Sequence, residues 1–217
     1  MIHPAQSETS KVDARSSQMG ELFATIKSFA FFIAIAFLLR ASVVEPFKIP
    51  SSSMEPTLEI GDYILVNKLS YGIRIPFLST PVYRYGAPTR GDVVVFTLPD
   101  DPTTTEVDEA DTNVIKRIIG LPGDLLEVRG TEVYINGKIY EEDHRYSRWL
   151  QGGSKDFGPV KVPEDHVLML GDNRDYSRDS RFWEPSPFLA MERVKGRAFL
   201  IYWNSLFSFK RMFNPIR

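Results

Sequence analysis

A chain of 217 residues, 43% of them hydrophobic, suits one substantial domain with an appendage and is too apolar for wholesale disorder. A net charge of −2 leaves no basic footprint for nucleic acid, and the absence of cysteine removes disulfide staples, thiolate zinc sites and cysteine nucleophiles together. His3, His144 and His166 stand in no His-x-x-x-His or His-Glu-x-x-His spacing, which disfavours a histidine-based metalloprotease.

Residues 1–20 are polar, short of aromatics and mixed in charge, and read as a disordered tail. Ser28 to Leu39 then carries no charge, and the apolar character extends past Lys27 and Arg40 to cover Leu22 to Val44. At roughly 1.5 Å per residue that is about 35 Å of helix. It spans a bilayer if Lys27 and Arg40 snorkel toward opposite interfaces. A cleaved signal sequence has a similar start, but no small-x-small site follows promptly, and the run ends in Arg40, Glu45 and Pro46. An uncleaved anchor over 21–44 is expected. Basic residues flank both ends (Lys11, Arg15 and Lys27 before; Arg40, Lys48, Lys68, Arg74 and Arg84 after), so charge does not set its orientation.

Just beyond lies Phe47-Lys48-Ile49-Pro50-Ser51-Ser52-Ser53-Met54-Glu55-Pro56-Thr57-Leu58. Pro50 fixes its own φ and pushes Ile49 toward an extended conformation, and Pro56 does the same for Glu55. The three serines therefore sit on a stiffened, irregular segment. Two readings stand: a Ser/Pro turn whose hydroxyls cap backbone groups, or a hydroxyl aimed at a reaction.

From Gly61 onward the pattern is β. Short apolar or β-branched runs occur at 63–66, 92–98, 113–119, 125–128, 132–135, 166–170 and 197–203, and Asn136-Gly137 is a hairpin turn into 138–140. The fold expected is an all-β ectodomain of short antiparallel strands with barrel-like folded sheets, over 45–217, behind one N-terminal transmembrane helix. Three stretches interrupt it. Residues 73–89, with Pro76, Pro81 and Pro88, read as a loop; 99–112 as a solvated acidic loop, with a cation site as the minor reading; and 141–161 as an insertion or cap.

Lys116 lies in the run Asn113 to Gly120 and shares a strand face with Val114 and Ile118. Such a lysine either snorkels out from an edge strand or is desolvated. Desolvation lowers its pKa, as a neutral general base requires. Arg117 cannot serve, because guanidinium stays protonated. A third stretch, Gly171-Asp172-Asn173-Arg174-Asp175-Tyr176-Ser177-Arg178-Asp179-Ser180-Arg181, follows the apolar run 167–170. It is either a loop laced with ion pairs or a shell that orients a base.

In this order, after an apolar N-terminal segment, Pro-Ser-Ser-Ser-Met-Glu-Pro-Thr-Leu, Arg-Gly-Asp-Val-Val-Val-Phe, Lys-Arg-Ile-Ile-Gly-Leu-Pro-Gly-Asp and Gly-Asp-Asn-Arg-Asp-Tyr-Ser-x-Asp-Ser-Arg resemble the bacterial type I signal peptidases from Val44 to Trp203. The resemblance implies a membrane-anchored Ser/Lys endopeptidase that removes signal peptides from exported preproteins after Ala-x-Ala sites, with no metal or organic cofactor. By that resemblance Ser53 is the nucleophile and Lys116 the general base. Ser51 and the Ser53 N–H form the oxyanion hole, Ser177 orients the lysine, and Asp179 with Arg181 is a structural ion pair. The same likeness lays the substrate along 45–50 and 113–115, with Phe47, Ile49, Pro50, Met54, Leu58, Val114 and Ile115 lining its pockets. It also implies a single-pass protein of the bacterial cytoplasmic membrane, with a cytoplasmic tail and its catalytic domain outside. Signal peptides, membrane lipid and secretion machinery would be its partners, and nucleic acid would not. A self-cleaving repressor-type Ser/Lys protease would carry a DNA-binding helical domain where this chain has its apolar segment. Penicillin-recognising enzymes are disfavoured because no Ser-x-x-Lys occurs. A membrane-tethered module that binds exported chains without cutting them remains the non-enzymatic alternative.

Overall fold

A computed structural model describes residues 6–73, 82–98, 113–143, 146–149, 156–205 and 208–217. The chain divides into two compact units, the first ending at Ala41 and the second running from Ser42 to Arg217. In the first, a single helix, α1, runs over Gln6–Ser42. The disordered tail expected over 1–20 is therefore helical from Gln6. No proline falls between Pro4 and Pro46, and a helix nucleated in the apolar run extends at one hydrogen bond per added residue. Met19–Phe37 is long and apolar enough to cross a membrane, with a mean hydropathy of 1.6 and no part of it buried. The expected anchor reaches two residues too far, because Val44 is already in a strand; Pro46 holds Glu45 extended and ends the helical option.

The strands of the second unit all pair antiparallel, with short 3-10 turns at Ser180–Phe182 and Met191–Arg193. Its strands in order are β1 (Val44–Lys48), β2 (Asp62–Asn67), β3 (Gly72–Ile73), β4 (Tyr83–Arg84), β5 (Val93–Thr97), β6 (Asn113–Gly120), β7 (Leu125–Arg129), β8 (Glu132–Ile135), β9 (Lys138–Ile139), β10 (Phe157–Lys161), β11 (His166–Leu170), β12 (Leu189–Ala190), β13 (Val194–Asn204) and β14 (Asn214–Pro215). The main sheet runs β1-β2-β13-β5-β6-β11-β12, with β14 added to β13; β10-β7-β8-β9 form a second sheet and β3-β4 a small hairpin. Both faces of β5 are covered: Val93 and Val95 join one apolar cluster, Val94 and Phe96 another. That explains its unbroken apolar run, since a strand buried on both sides has no reason to alternate. Asn136 and Gly137 both take positive φ, as a tight hairpin turn requires.

The expected loop 73–89 holds the β3-β4 hairpin, whose connection, 74–81, lies outside the described residues. So do the whole acidic stretch 99–112, its minor cation-site reading, and His3 and His144. The expected insertion 141–161 contributes β10 to the second sheet, while 144–145 and 150–155 are likewise outside.

Candidate active site

Two open strand edges frame the site. β1 ends the main sheet, with β2 on one side only. β6 pairs with β5 along Asn113 to Arg117, but β11 meets it only from Arg117 to Gly120. The stretch from Asn113 to Lys116 therefore has no strand on its second side among the described residues. Between these edges the proline-bounded serine segment turns back into the core. It is pinned by main-chain bonds from Ile49 N–H to the Asp62 carbonyl (2.8 Å) and from Gly61 N–H to the Ile49 carbonyl (2.9 Å).

Lys116 lies opposite Val94 across the β5-β6 ladder and is closed off, 4% exposed. It does not snorkel. Its Nζ is 2.9 Å from Ser53 Oγ and donates to the Ile115 carbonyl oxygen, also at 2.9 Å. Burial is the largest influence on the ammonium and pulls its pKa from 10.5 down to about 8, against the pull of Asp179 and Asp172 in the other direction. The Ser53 side of the pair is buried as well. A base that is neutral at moderate pH and within hydrogen-bond reach of a hydroxyl can take that proton. Ser51 Oγ sits 3.4 Å from Ser53 Oγ, close enough to share the space where an oxyanion would form.

The Gly171–Arg181 segment closes over this pair. Asn173 holds the nucleophile segment by its backbone: its N–H donates to the Ser53 carbonyl at 3.1 Å, and its side-chain amide to the Ser52 carbonyl at 3.1 Å. Gly171 leaves no room for a Cβ, which would collide with the Ser177 side chain and the Ser53 carbonyl oxygen. Ser177 thus sits beside the nucleophile's main chain. Its Oγ is buried without a hydrogen-bond partner among the described residues, and it does not bond Lys116 in this structure. Asp179 and Arg181 form a buried pair at 2.8 Å, and Asp179 also accepts from Gly171 N–H at 2.9 Å.

A second buried pair lies on the other side of β6, as alternation demands of Lys116 and Arg117. The Arg117 guanidinium donates to both Asp172 oxygens, at 2.8 and 2.7 Å, and to the carbonyls of Gly91 and Arg217; Thr57 Oγ1 donates to the same carboxylate. Arg117 is set aside in the sequence as no base, and Asp172, Asn173, Thr57 and Gly171 have no individual role there beyond the reading of Gly171 to Arg181 as a shell that orients a base. Their signal lay within the quoted motifs; what was hidden was which partners, 55 to 121 residues away, those short polar side chains would reach.

Of the expected pocket residues, Phe47 and Val114 are half-buried and Pro50 is exposed, while Ile115 keeps a sliver of surface. Ile49, Met54 and Leu58 are enclosed in the core with Ile64, Val66 and Val95, so they support the site from behind. Val114 packs toward a different cluster from Ile115, on the opposite strand face. The C-terminal aromatic and basic segment is partly anchored. Arg211 reaches Asp62, Glu59 and the Thr57 carbonyl, and Ile216 is buried, whereas Phe209 and Phe213 project outward.

Comparison with known proteins identifies the family. The family model described as "Signal peptidase, peptidase S26" matches residues 22–203. The chain is 39% identical over 208 residues to the signal peptidase I of Pseudomonas fluorescens, covering 81% of this chain and 70% of that one. It is 40% identical over 171 residues to a probable signal peptidase I-2 of Synechocystis, covering 79% and 68%. The signal peptidase I of Leptolyngbya laminosa is 36% identical over 200 residues, covering 92% and 87%. The chain belongs to the signal peptidases of peptidase family S26, and it is a serine endopeptidase.

Proposed function

We propose that this protein removes signal peptides from exported preproteins after Ala-x-Ala sites through a Ser53/Lys116 dyad. The observation that carries the reading is a buried, partly neutral lysine 2.9 Å from a serine hydroxyl. Lys116 Nζ takes the Ser53 proton as Oγ attacks the scissile carbonyl. The tetrahedral oxyanion is met by Ser51 Oγ–H and the Ser53 N–H. Lys116 then returns the proton to the leaving amine, and the same lysine activates the water that releases the acyl group from Ser53. Ser177, a buried hydroxyl with no partner of its own, is the group available to orient the lysine.

Substrate selection follows from the open edges. An extended signal-peptide end pairs by its main chain with β1 and with 113–115 of β6, as in strand addition. Phe47, Pro50, Val114 and Ile115 form the apolar walls, with Ile49, Met54 and Leu58 closing them behind. Such shallow walls admit small side chains. Met19–Phe37 serves as the anchor, a single span with the catalytic unit on the extracytoplasmic side of a bacterial cytoplasmic membrane, where lipid and the secretion machinery are its neighbours.

The test is cleavage of a preprotein bearing an Ala-x-Ala site by the full chain in detergent, with products sized by mass spectrometry. The expected result is one cut after the second alanine, none with Ser53→Ala, and a kcat lowered roughly 10²- to 10³-fold by Ser51→Ala, the cost of one oxyanion donor. Activity surviving in Ser53→Ala removes the dyad. A wild type that binds the preprotein without cutting makes this a binding module.

A further inference from the structure

The segment Glu141 to Trp149 matches none of the motifs that carry the family likeness, and the mechanism above does not use it. In the fold its described parts, 141–143 and 146–149, brace the catalytic loop from behind. Arg174, at the centre of that loop, is among the largest side chains in the protein with essentially no exposure. A lone guanidinium in such a place is prohibitively costly, and its partner comes from outside the motif: Glu142, whose carboxylate takes both terminal nitrogens of Arg174. Ser147 Oγ donates to the same carboxylate at 2.9 Å. The third guanidinium nitrogen of Arg174, Nε, donates to the Gly171 carbonyl at 3.0 Å.

The backbones are tied as well. Arg148 N–H donates to the Asp172 carbonyl at 2.9 Å, and Arg174 N–H to the Arg148 carbonyl at 3.1 Å, while Arg148 and Asn173 form a parallel bridge. Trp149 then lies against two cations of the loop at once, with the Arg174 and Arg181 guanidinium carbons 5.7 and 5.6 Å from its ring centroid. The contacts converge on the peptide around Gly171–Asn173. That peptide holds the Ser52 and Ser53 carbonyls through Asn173 and packs Ser177 against Gly171.

We infer that Glu142 is a positioning residue for the peptidase reaction, acting through Arg174 and Gly171 to set where Ser53 and Ser177 stand relative to Lys116, with Ser147 and Trp149 as its supports. The inference rests on the dyad reading above. Its consequence falls on the chemical step rather than on substrate affinity, because none of these groups lies on the open edges of β1 or β6.

The experiment is single-turnover cleavage of the Ala-x-Ala preprotein by excess full-length enzyme in detergent, across enzyme concentrations, for wild type, Glu142→Gln, Ser147→Ala and Ser53→Ala. A rate constant measured this way is insensitive to an inactive or unfolded fraction, which a merely structural role would enlarge. Glu142→Gln is expected to lower the saturating rate constant roughly tenfold to a hundredfold, the scale of a sub-ångström to ångström misplacement, with the half-saturating enzyme concentration within about twofold of wild type. If Glu142→Gln does not fold, Ser147→Ala, which leaves the charge pair intact, carries the test with a loss of a few fold in the same constant. Wild-type saturating rates in the folded variants overturn the inference. So does a loss confined to half-saturation. A wild type that does not cut, or a Ser53→Ala that does, fails the dyad reading instead.

Discussion

Lys116→Met should give a protein that folds and binds preprotein but cuts it roughly 10⁴-fold or more slowly, and Lys116→Arg should be equally inactive. Methionine fills the site without a lone pair, and a guanidinium has none to offer at any accessible pH. In the wild type the pH dependence of kcat/KM should show an acid limb centred near pH 8, since activity follows neutral Lys116. A profile still climbing well above pH 10 would mean that the base is an unperturbed lysine. Stability runs the opposite way to activity. An unfolded chain binds this proton up to about 10.5, the folded chain only up to about 8. The depressed pKa therefore costs stability in full below pH 8, less as pH rises, and nothing above 10.5. Lys116→Met should melt at a higher temperature than wild type at pH 7, with the gap closing toward pH 10.5. Thermal unfolding of the two proteins across that range checks both the sign and the window.

Asp172→Ala should be among the most destabilising single changes in the catalytic unit, by about 3–5 kcal/mol, because it leaves the Arg117 guanidinium buried without its carboxylate. The Asp172 side chain has no exposure and that of Arg117 only 8%, so water does not replace what is lost. Thr57 Oγ1 loses its acceptor as well. The double change Arg117→Met with Asp172→Leu should recover most of that stability, since a buried ion pair replaced by apolar groups of similar volume is often neutral. It should not recover activity: the carboxylate also sets the peptide that carries Asn173, and Arg117 ties Gly91 and Arg217 to β6. Denaturant unfolding of the single and double variants, set beside their cleavage rates, separates the two effects. A single change costing under about 1 kcal/mol would show that the pair is not what holds this face of β6.

Much of this was legible in the residues. Strands with clear alternation, or with a β-branched run between turn residues, lie where they were expected, as at 63–66, 92–98 and 113–119. Neighbouring residues such as Val114 and Ile118 carry information about whether a lysine is dry, and Lys116 is. What escaped was of two kinds. The short strands β3, β4, β12 and β14 are too brief for a period to declare itself, and their pairing is decided by distant chain. The polar supports of the site are contacts between far-separated segments: Asn173 with Ser52 and Ser53, Asp172 with Arg117 and Thr57, Glu142 with Arg174. Each member is an ordinary loop residue in isolation. Burial among the expected pocket residues was hidden for the same reason, because Met54 and Leu58 differ from Phe47 and Pro50 only in what packs over them.

The dryness of Lys116 also acts as a safety interlock. Its reactivity is borrowed from the closed core, so any loosening that lets water reach Nζ returns the lysine toward its ordinary protonated state. Partial unfolding that wets Nζ would then slow the protease. Residual cleavage in a stressed sample would then be weighted toward molecules whose core is still closed around Lys116.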